Sequence, residues 1–424
     1  MPVHPLTKLI QEDMVPSLGV TEPGAIALAA AKARTYIDGE IRSICVRMNS
    51  GIYKNAFTCG IPGTDHFGAA YAAALGVLIG DPSLGLEVLA GVTPEAERQA
   101  EQMIKDGQVH LEMAGIDPDI FIEVHISTEQ GEATATIRHT HTNIVSVVCN
   151  GKNMEQGGSA EQRTTAEVAP IHCFSLRELL NYARAVPLEE ITFLRNAFSL
   201  NLTLLDAGLQ DARTVVLHRF YSLNGDCLFS GDALHTAQLL CSGAIEARVL
   251  GIPAPAMSVT GSGSHGIIAL MPLYAIARCE KVEEETLLRA SALSVLVTQY
   301  IKEYSGKLSA LCGCAIAAGS GAACGAVFLR GGDEAAIVRA LNNMSLGITG
   351  MICDGGNHGC AIKSIVAVDT AFRAADLAMH SVNISSCHGI CGSTPEQTMQ
   401  NIGRIAAPGM IGTEEEILHI FCDK

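Results

Sequence analysis

The sequence predicts an α+β protein: an all-helical domain carrying an inserted α+β domain with a mostly antiparallel sheet. Three observations predict it. Short runs rich in β-branched residues, alternating with period two, fall between about residues 36 and 165. Helical periodicity dominates on either side of them. The 42 glycines and abundant alanines, with no Trp and only 4% aromatics, favour closely approaching helices over an aromatic core. The expected division is residues 1–35 plus 166–424 for the helical domain and 36–165 for the α+β domain.

In chain order, residues 1 to about 35 read as helical and end in the Ala-rich run AIALAAAKARTYI. RSICVRMNS, DIFIEVHIS, EATATIRHT and NIVSVVC then read as strands, with AAYAAALGVLIG and PEAERQAEQMI as helices between the first two. Beyond about residue 166 strand signals nearly vanish. DALHTAQLLCSGAIEARVLG, EEETLLRASALSVLVTQYIKEY, DEAAIVRALNNM and SIVAVDTAFRAADLAMH carry helical periodicity, separated by the Gly-rich breaks VTGSGSHGI, CDGGNHGC and SCHGICGS. If the first helix packs with the C-terminal bundle, the α+β part is an insertion.

Composition excludes several classes. A formal charge of −16 without a basic cluster argues against nucleic acid and against an anionic membrane surface. The start, MPVHPLTKLIQEDMVP, places acidic residues where a signal peptide needs an apolar run, so a cytoplasmic protein is expected. There the 15 cysteines would stay reduced rather than form a disulfide framework. Residues 308–329 carry no charge and are long enough to span a bilayer, but their Ala, Gly, Ser and Cys content fits a buried, broken helix better.

The cysteines are the main chemical signal. Cys312 and Cys314 form a Cys-x-Cys, and Cys353 and Cys360 flank DGGNHG; Cys324, Cys387 and Cys391 are further candidates. Thiolate ligands approach a metal to about 2.3 Å, which suits Gly-rich turns. Neither segment has the Cys-x2-Cys pairs of structural zinc or ferredoxin sites. Spacing alone therefore leaves two readings open, metal ligands or small buried apolar residues.

The other loops hold polar groups. Residues 261–267 offer backbone N–H groups with Ser262, Gly263, Ser264 and His265 ahead of an apolar helix, which suits a carboxylate or serves as a plain helix cap. Thr21 and Glu22 open a helix with Pro in its first turn. Asn143 lies in HTN, either in a pocket or at an exposed strand end. Lys307 either stabilises a developing anion or only ends a helix, and Lys363 follows Cys360 by three residues.

Taken in order, LGVTEPGAIALAAAKA, IPGT, HTNIV, VTGSGSHGI, YSGKLSALCGCAIAAGSGAACG, MICDGGNHGCAIK and NIGRIAAPGM resemble the L-cysteine desulfidase family, in the superfamily of the alpha chain of iron–sulfur L-serine dehydratases. The resemblance covers almost the whole chain. It implies a [4Fe–4S] cluster held by Cys314, Cys353 and Cys360, with Cys312 the alternative first ligand. It also implies α,β-elimination from a small amino acid: for L-cysteine, release of sulfide, pyruvate and ammonia. Within that frame Glu22, His265 and Lys307 are the catalytic candidates, and Thr21, Asn143, Ser262, Gly263, Ser264 and Lys363 the candidates for binding substrate. An open-iron cluster would be oxygen-sensitive, and the candidate assembly is a homodimer.

One position departs from the family pattern. Members commonly read Gly-Cys-Thr-Glu-Pro where this chain has Val20, and a valine can neither transfer a proton nor bind iron. A different substrate, such as serine or another β-hydroxy or β-thio amino acid, and a cluster- or zinc-binding sensor without catalysis are the rivals. Cys422, two residues from the end, is considered for the C-terminal cysteine that dehydratases place on the open iron at rest.

Overall fold

The computed structural model describes residues 3–117, 119–157 and 168–424. It is mostly helical, with one six-stranded sheet inserted between residues 41 and 156. The strands are β1 (Ile41–Asn49), β2 (Val109–Gly115), β3 (Phe121–Thr128), β4 (Gly131–Arg138), β5 (Ile144–Cys149) and β6 (Lys152–Gln156), in the spatial order β2-β1-β3-β4-β5-β6. Only β1 and β2 run parallel, with Ile44 beside Val109; every other pairing is antiparallel. A parallel pair needs a long crossover, and the helical segment between Ser50 and Lys105 supplies it.

One face of the sheet is apolar because alternate residues point the same way. Ile44, Val46 and Met48 of β1 join Ile122, Val124 and Ile126 of β3 and Ala133, Ala135 and Ile137 of β4 in a single core. The helices Thr21–Arg34 and Ala69–Ile79 close over it. Their contact is backbone-close: a Cβ on Gly76 would stand 2.5 Å from the carbonyl oxygen of Ala27. Small side chains are what admit this spacing.

The second core is helical and joins Ala233–Val249, Gly263–Glu280, Glu284–Ser305, Gly319–Leu329, Glu334–Ile348 and Gly359–Met379. The helix Gly263–Glu280 is buried from Gly263 through Leu273, as its unbroken apolar run requires. Residues 308–329 fold as a loop, a π-turn at Cys314–Ala318 and the helix Gly319–Leu329. Among the described residues no helix is long and apolar enough to cross a membrane.

The N-terminal segment differs from a continuous helix. Helix Pro5–Asp13 is followed by a short strand, Pro16–Leu18, paired antiparallel with Pro255–Met257, and only then by Thr21–Arg34. Pro16 and the left-handed Gly19, at φ +66°, break the helical path. Leu6, Ile10 and Met14 join the helical core, whereas Ala25 to Ala33 join the sheet's core. The boundary expected at residue 165 lies outside the described residues.

The C-terminal helix Ile411–Cys422 docks on the helix Ser50–Ala56. Phe57 and Phe421 stack at 4.6 Å, and Lys54 Nζ meets Glu414 Oε2 at 2.5 Å while also donating to the Ser309 carbonyl at 3.1 Å. The Lys54 side chain is completely buried. Removing one partner of a buried pair strands the other charge at a cost of about 3–5 kcal/mol. Glu414→Ala is therefore expected to lower unfolding stability by roughly that amount in a urea titration. Unchanged stability would show that the pair does not secure the terminus.

Candidate active site

Two loops carrying the paired cysteines are tied together by an isolated antiparallel bridge between Leu311 and Ile352. Cys312 N donates to Met351 O at 2.9 Å and Cys353 N to Ala310 O at 2.7 Å, which sets the two cysteine-bearing strands side by side. The turn after Cys353 needs glycine. Gly355 sits at φ +101°, and a Cβ there would lie 2.4 Å from the carbonyl oxygen of Lys54. Asn55 completes the seam, accepting from Gly356 N through its carbonyl at 3.3 Å. Cys360 then enters the first turn of the helix Gly359–Met379, and Cys314 opens the π-turn.

These loops form one wall of a cavity. Cys312, Cys314, Cys353 and Cys360 all line it. Three helices aim their N-termini at it: Thr21–Arg34 contributes Val20 and Glu22, Gly263–Glu280 contributes Ser262, Ser264 and His265, and Gly359–Met379 contributes Cys360 and Lys363. Helix N-termini carry partial positive charge and unpaired N–H groups. Arg248, Lys302, Lys307 and Lys363 add cationic side chains to the same lining. Lys307 is paired with Glu303 at 3.0 Å and Lys363 with Asp354, so these two charges are partly offset.

The thiols respond to this setting. Burial pushes Cys360 up to about 12 and raises Cys353, the latter opposed by Lys54. Cys312 is drawn down, first by the hydrogen bond with the Cys314 thiol and then, against burial, by the backbone N–H of Ala315 and the charge of Lys363. The partner Cys314 is correspondingly raised, because it holds the shared proton. Burial, reinforced by Lys307, lowers Lys302 to about 8.

Glu22 is the acidic group in this lining. Burial favours its neutral form, but His141, Asn55 and Arg248 outweigh that and hold it at about 2. Asn55 Nδ2 donates to Glu22 Oε1 at 2.8 Å and Thr21 Oγ1 donates to Oε2 at 3.0 Å. His141 Nε2 stands 3.7 Å from Oε1, beyond the reach of a formed hydrogen bond. Arg248 is 3% exposed, and its Nη1 donates to Ser264 Oγ at 2.9 Å.

His265 is buried, and burial together with the Lys302 charge pushes its pKa well down, so the imidazole is neutral. Its tautomer follows from its partners. Nδ1 is 3.2 Å from the carbonyl oxygen of Val259, which can only accept, and 2.7 Å from Thr260 Oγ1, which itself donates to that carbonyl at 2.7 Å. The proton therefore sits on Nδ1 and the lone pair on Nε2. That nitrogen faces the cysteine loop: a Cβ on Gly313 would lie 2.6 Å from it.

Of the residues singled out in the sequence, Glu22, Ser262, Ser264, His265, Lys307, Cys314, Cys353, Cys360 and Lys363 line this one cavity. Thr21 stands just behind it, bound to Glu22, and Gly263 packs against Arg248, where a Cβ would lie 2.6 Å from Nε. Asn143 is not brought in. Its amide turns back to the Arg138 carbonyl at 3.0 Å within the hairpin, and His141 reaches the cavity instead. Cys422 is exposed, and Cys324, Cys387 and Cys391 are likewise absent from the lining. Sequence reasoning missed Arg248, Lys302 and Asn55, and within HTN it singled out Asn143 rather than His141. A charged residue inside the apolar runs CSGAIEARVLG and SVLVTQYIKEY was the available signal for the first two.

Thiols, cationic side chains, converging helix ends and a neutral imidazole thus share the wall of one cavity. The serine dehydratase alpha chain family model matches residues 83–419, and the chain belongs to that family. Full-length similarity runs to UPF0597 proteins. That of Clostridium botulinum strain Hall is 40% identical over 425 residues, covering 99% of this chain and 98% of the relative. Those of Clostridium tetani and Caldanaerobacter subterraneus are 35% and 34% identical, each over 99% of this chain and 98% of the relative.

Because Glu22 is held at about 2 when folded, against 4.5 ordinarily, the unfolded chain binds more protons through that interval. The stability it contributes is complete above pH 4.5 and is lost as pH falls toward 2. Glu22→Gln should lose less stability than the parent across that window when both are followed by denaturant titration. Parallel curves would mean that the carboxylate is not held ionised.

Proposed function

We propose that this chain is a non-redox [4Fe–4S]-dependent lyase that removes the β-substituent of a small amino acid, with L-cysteine the leading substrate. The observation that carries this reading is the gathering of four thiols, three helix N-termini and a neutral His265 around one cavity. Resemblance to the L-cysteine desulfidase family supports cysteine. The name of the serine dehydratase alpha chain family supports the broader class and keeps serine as the alternative substrate.

The residues present fit the cluster. Thiolate ligands bring negative charge into a buried place, and Arg248, Lys302 and Lys363 all feel the charge of the cavity cysteines. Among the described residues no three His, Cys, Asp or Glu side chains are gathered closely enough for a single metal ion. Cys314, Cys353 and Cys360 would be the ligands, with Cys312 the alternative for the first. When bound, such a cluster with three protein thiolates leaves one iron open as a Lewis acid toward the departing thiol or hydroxyl.

The chain's own groups supply the rest. Arg248, Ser262, Ser264 and the N–H groups opening the helix Gly263–Glu280 bind the substrate carboxylate. The ionised Glu22 faces the α-ammonium. His265 Nε2 takes the α-proton, which its neutral state and its lone pair permit. Lys302 and Lys307 offset charge developing on the α-carbon side. Loss of the β-substituent leaves an enamine, which tautomerises and hydrolyses to a 2-oxo acid and ammonia. Val20, 3% exposed and packed against Gly356, lines the wall where the family carries cysteine, so proton delivery to the leaving group falls to another residue or to water.

Anaerobically purified protein is expected to hold close to four iron and four acid-labile sulfide per chain, with a marked loss in Cys360→Ala. A product panel should show pyruvate with sulfide from cysteine; pyruvate from serine but none from cysteine would move the reading to dehydration. Zinc, or no turnover of any amino acid by the loaded protein, would defeat it. His265→Asn is expected to keep its iron while kcat falls about 10²–10⁴-fold. Unchanged kcat would remove His265 as the base.

A further inference from the structure

We propose that Asp13 is a positioning residue: its carboxylate fixes Thr260, and Thr260 fixes His265 with the proton on Nδ1 and the lone pair on Nε2. The catalytic meaning rests on the function proposed above, whereas the chain of hydrogen bonds stands on geometry alone.

The turn between Val259 and Ser262 closes on itself, with each residue's N–H donating to the other's carbonyl at 3.1 Å. Its two central residues both have positive φ, Thr260 at +52° and Gly261 at +75°. Turns of this kind favour Asn, Asp or Gly at both places. A β-branched threonine at the first is strained, so something must hold it and something must require it. What holds it is Asp13: Oδ2 accepts the Thr260 N–H at 2.6 Å. What requires it is the hydroxyl, which donates to Val259 O at 2.7 Å and so is left to accept from His265 Nδ1 at 2.7 Å.

Asp13 is itself badly placed for local stability. It ends the helix Pro5–Asp13, where the helix dipole disfavours a carboxylate, and burial raises its pKa. Neighbouring anchors keep it beside the turn: Ser258 N and Oγ both donate to Val15 O, at 2.9 and 2.6 Å. The Lys307 charge favours its ionised form, while Glu303 opposes it. Asp13 is absent from the cavity lining, so it acts through Thr260 and does not touch the substrate.

The test is the tautomer of His265 in full-length, anaerobically prepared protein with ¹⁵N-histidine, its signals assigned by their loss in His265→Asn. The parent, Asp13→Asn and Thr260→Ser should show Nδ1–H, since each keeps an acceptor for the Thr260 amide and a hydroxyl for the ring. Asp13→Ala and Thr260→Val should show a mixture or Nε2–H. If Asp13→Ala does not fold, Thr260→Val and Asp13→Asn decide the matter. With the best substrate, each disruptive variant should lower kcat about tenfold to hundredfold with KM little changed. The double variant Asp13→Ala/Thr260→Val should be no worse than either single one, because both break one chain. An unaltered tautomer in Asp13→Ala or Thr260→Val, or additive losses in the double variant, would overturn the proposal. A tautomer that follows Asp13 in protein that turns over no amino acid would leave the positioning intact and defeat the proposed function.

Discussion

Three helices direct their N-terminal N–H groups at one buried cavity, and Arg248, Lys302, Lys307 and Lys363 add their charges to the same space. Partial and full positive charges at such density repel one another, and in a poorly solvated interior that repulsion is expensive. Negative groups must offset it. Glu22 is held ionised there, and the thiol of Cys312 is shifted toward its ionised form by its partner Cys314. The clustering of Glu22 and the thiols among these positive groups follows from this one electrostatic constraint.

Close packing makes the convergence sterically possible. Gly313 admits His265, Gly263 admits Arg248, and Gly355 lets the Cys353 loop lie against Lys54; any side chain at these points would displace a functional group. The inserted sheet takes part through its attachments rather than its strands. The hairpin between β4 and β5 delivers His141, and the helix following β1 delivers Asn55, which holds both Glu22 and the loop after Cys353. The two cores therefore meet at the site, each contributing groups that the other lacks.

The interior strands and the long helices were legible in the sequence, because β1, β3 and β4 alternate residues over one buried face and β5 is rich in valine and isoleucine. The edge strands β2 and β6 were not. Val109–Gly115 is exposed along nearly all its length and Lys152–Gln156 is mostly polar, so neither carries the periodic signal of a half-buried strand. The break between Pro5–Asp13 and Thr21–Arg34 was also missed, although Pro16 and Gly19 mark it; that Pro16–Leu18 is a strand depends on pairing with Pro255–Met257, more than two hundred residues away in the chain.

The sequence by itself determined the fold class, the cysteine pairs in Gly-rich turns, and the candidacy of Glu22 and His265, because periodicity and local turn chemistry are written within a few residues of each other. Tertiary structure alone decided that Arg248, Lys302, His141 and Asn55 belong to the site and that Asn143 does not, although Asn143 and His141 are only two residues apart. It also decided the tautomer of His265, through Thr260 and Asp13. Those outcomes depend on which distant segments touch, and hydrogen bonds across some two hundred and fifty residues leave no local pattern to read.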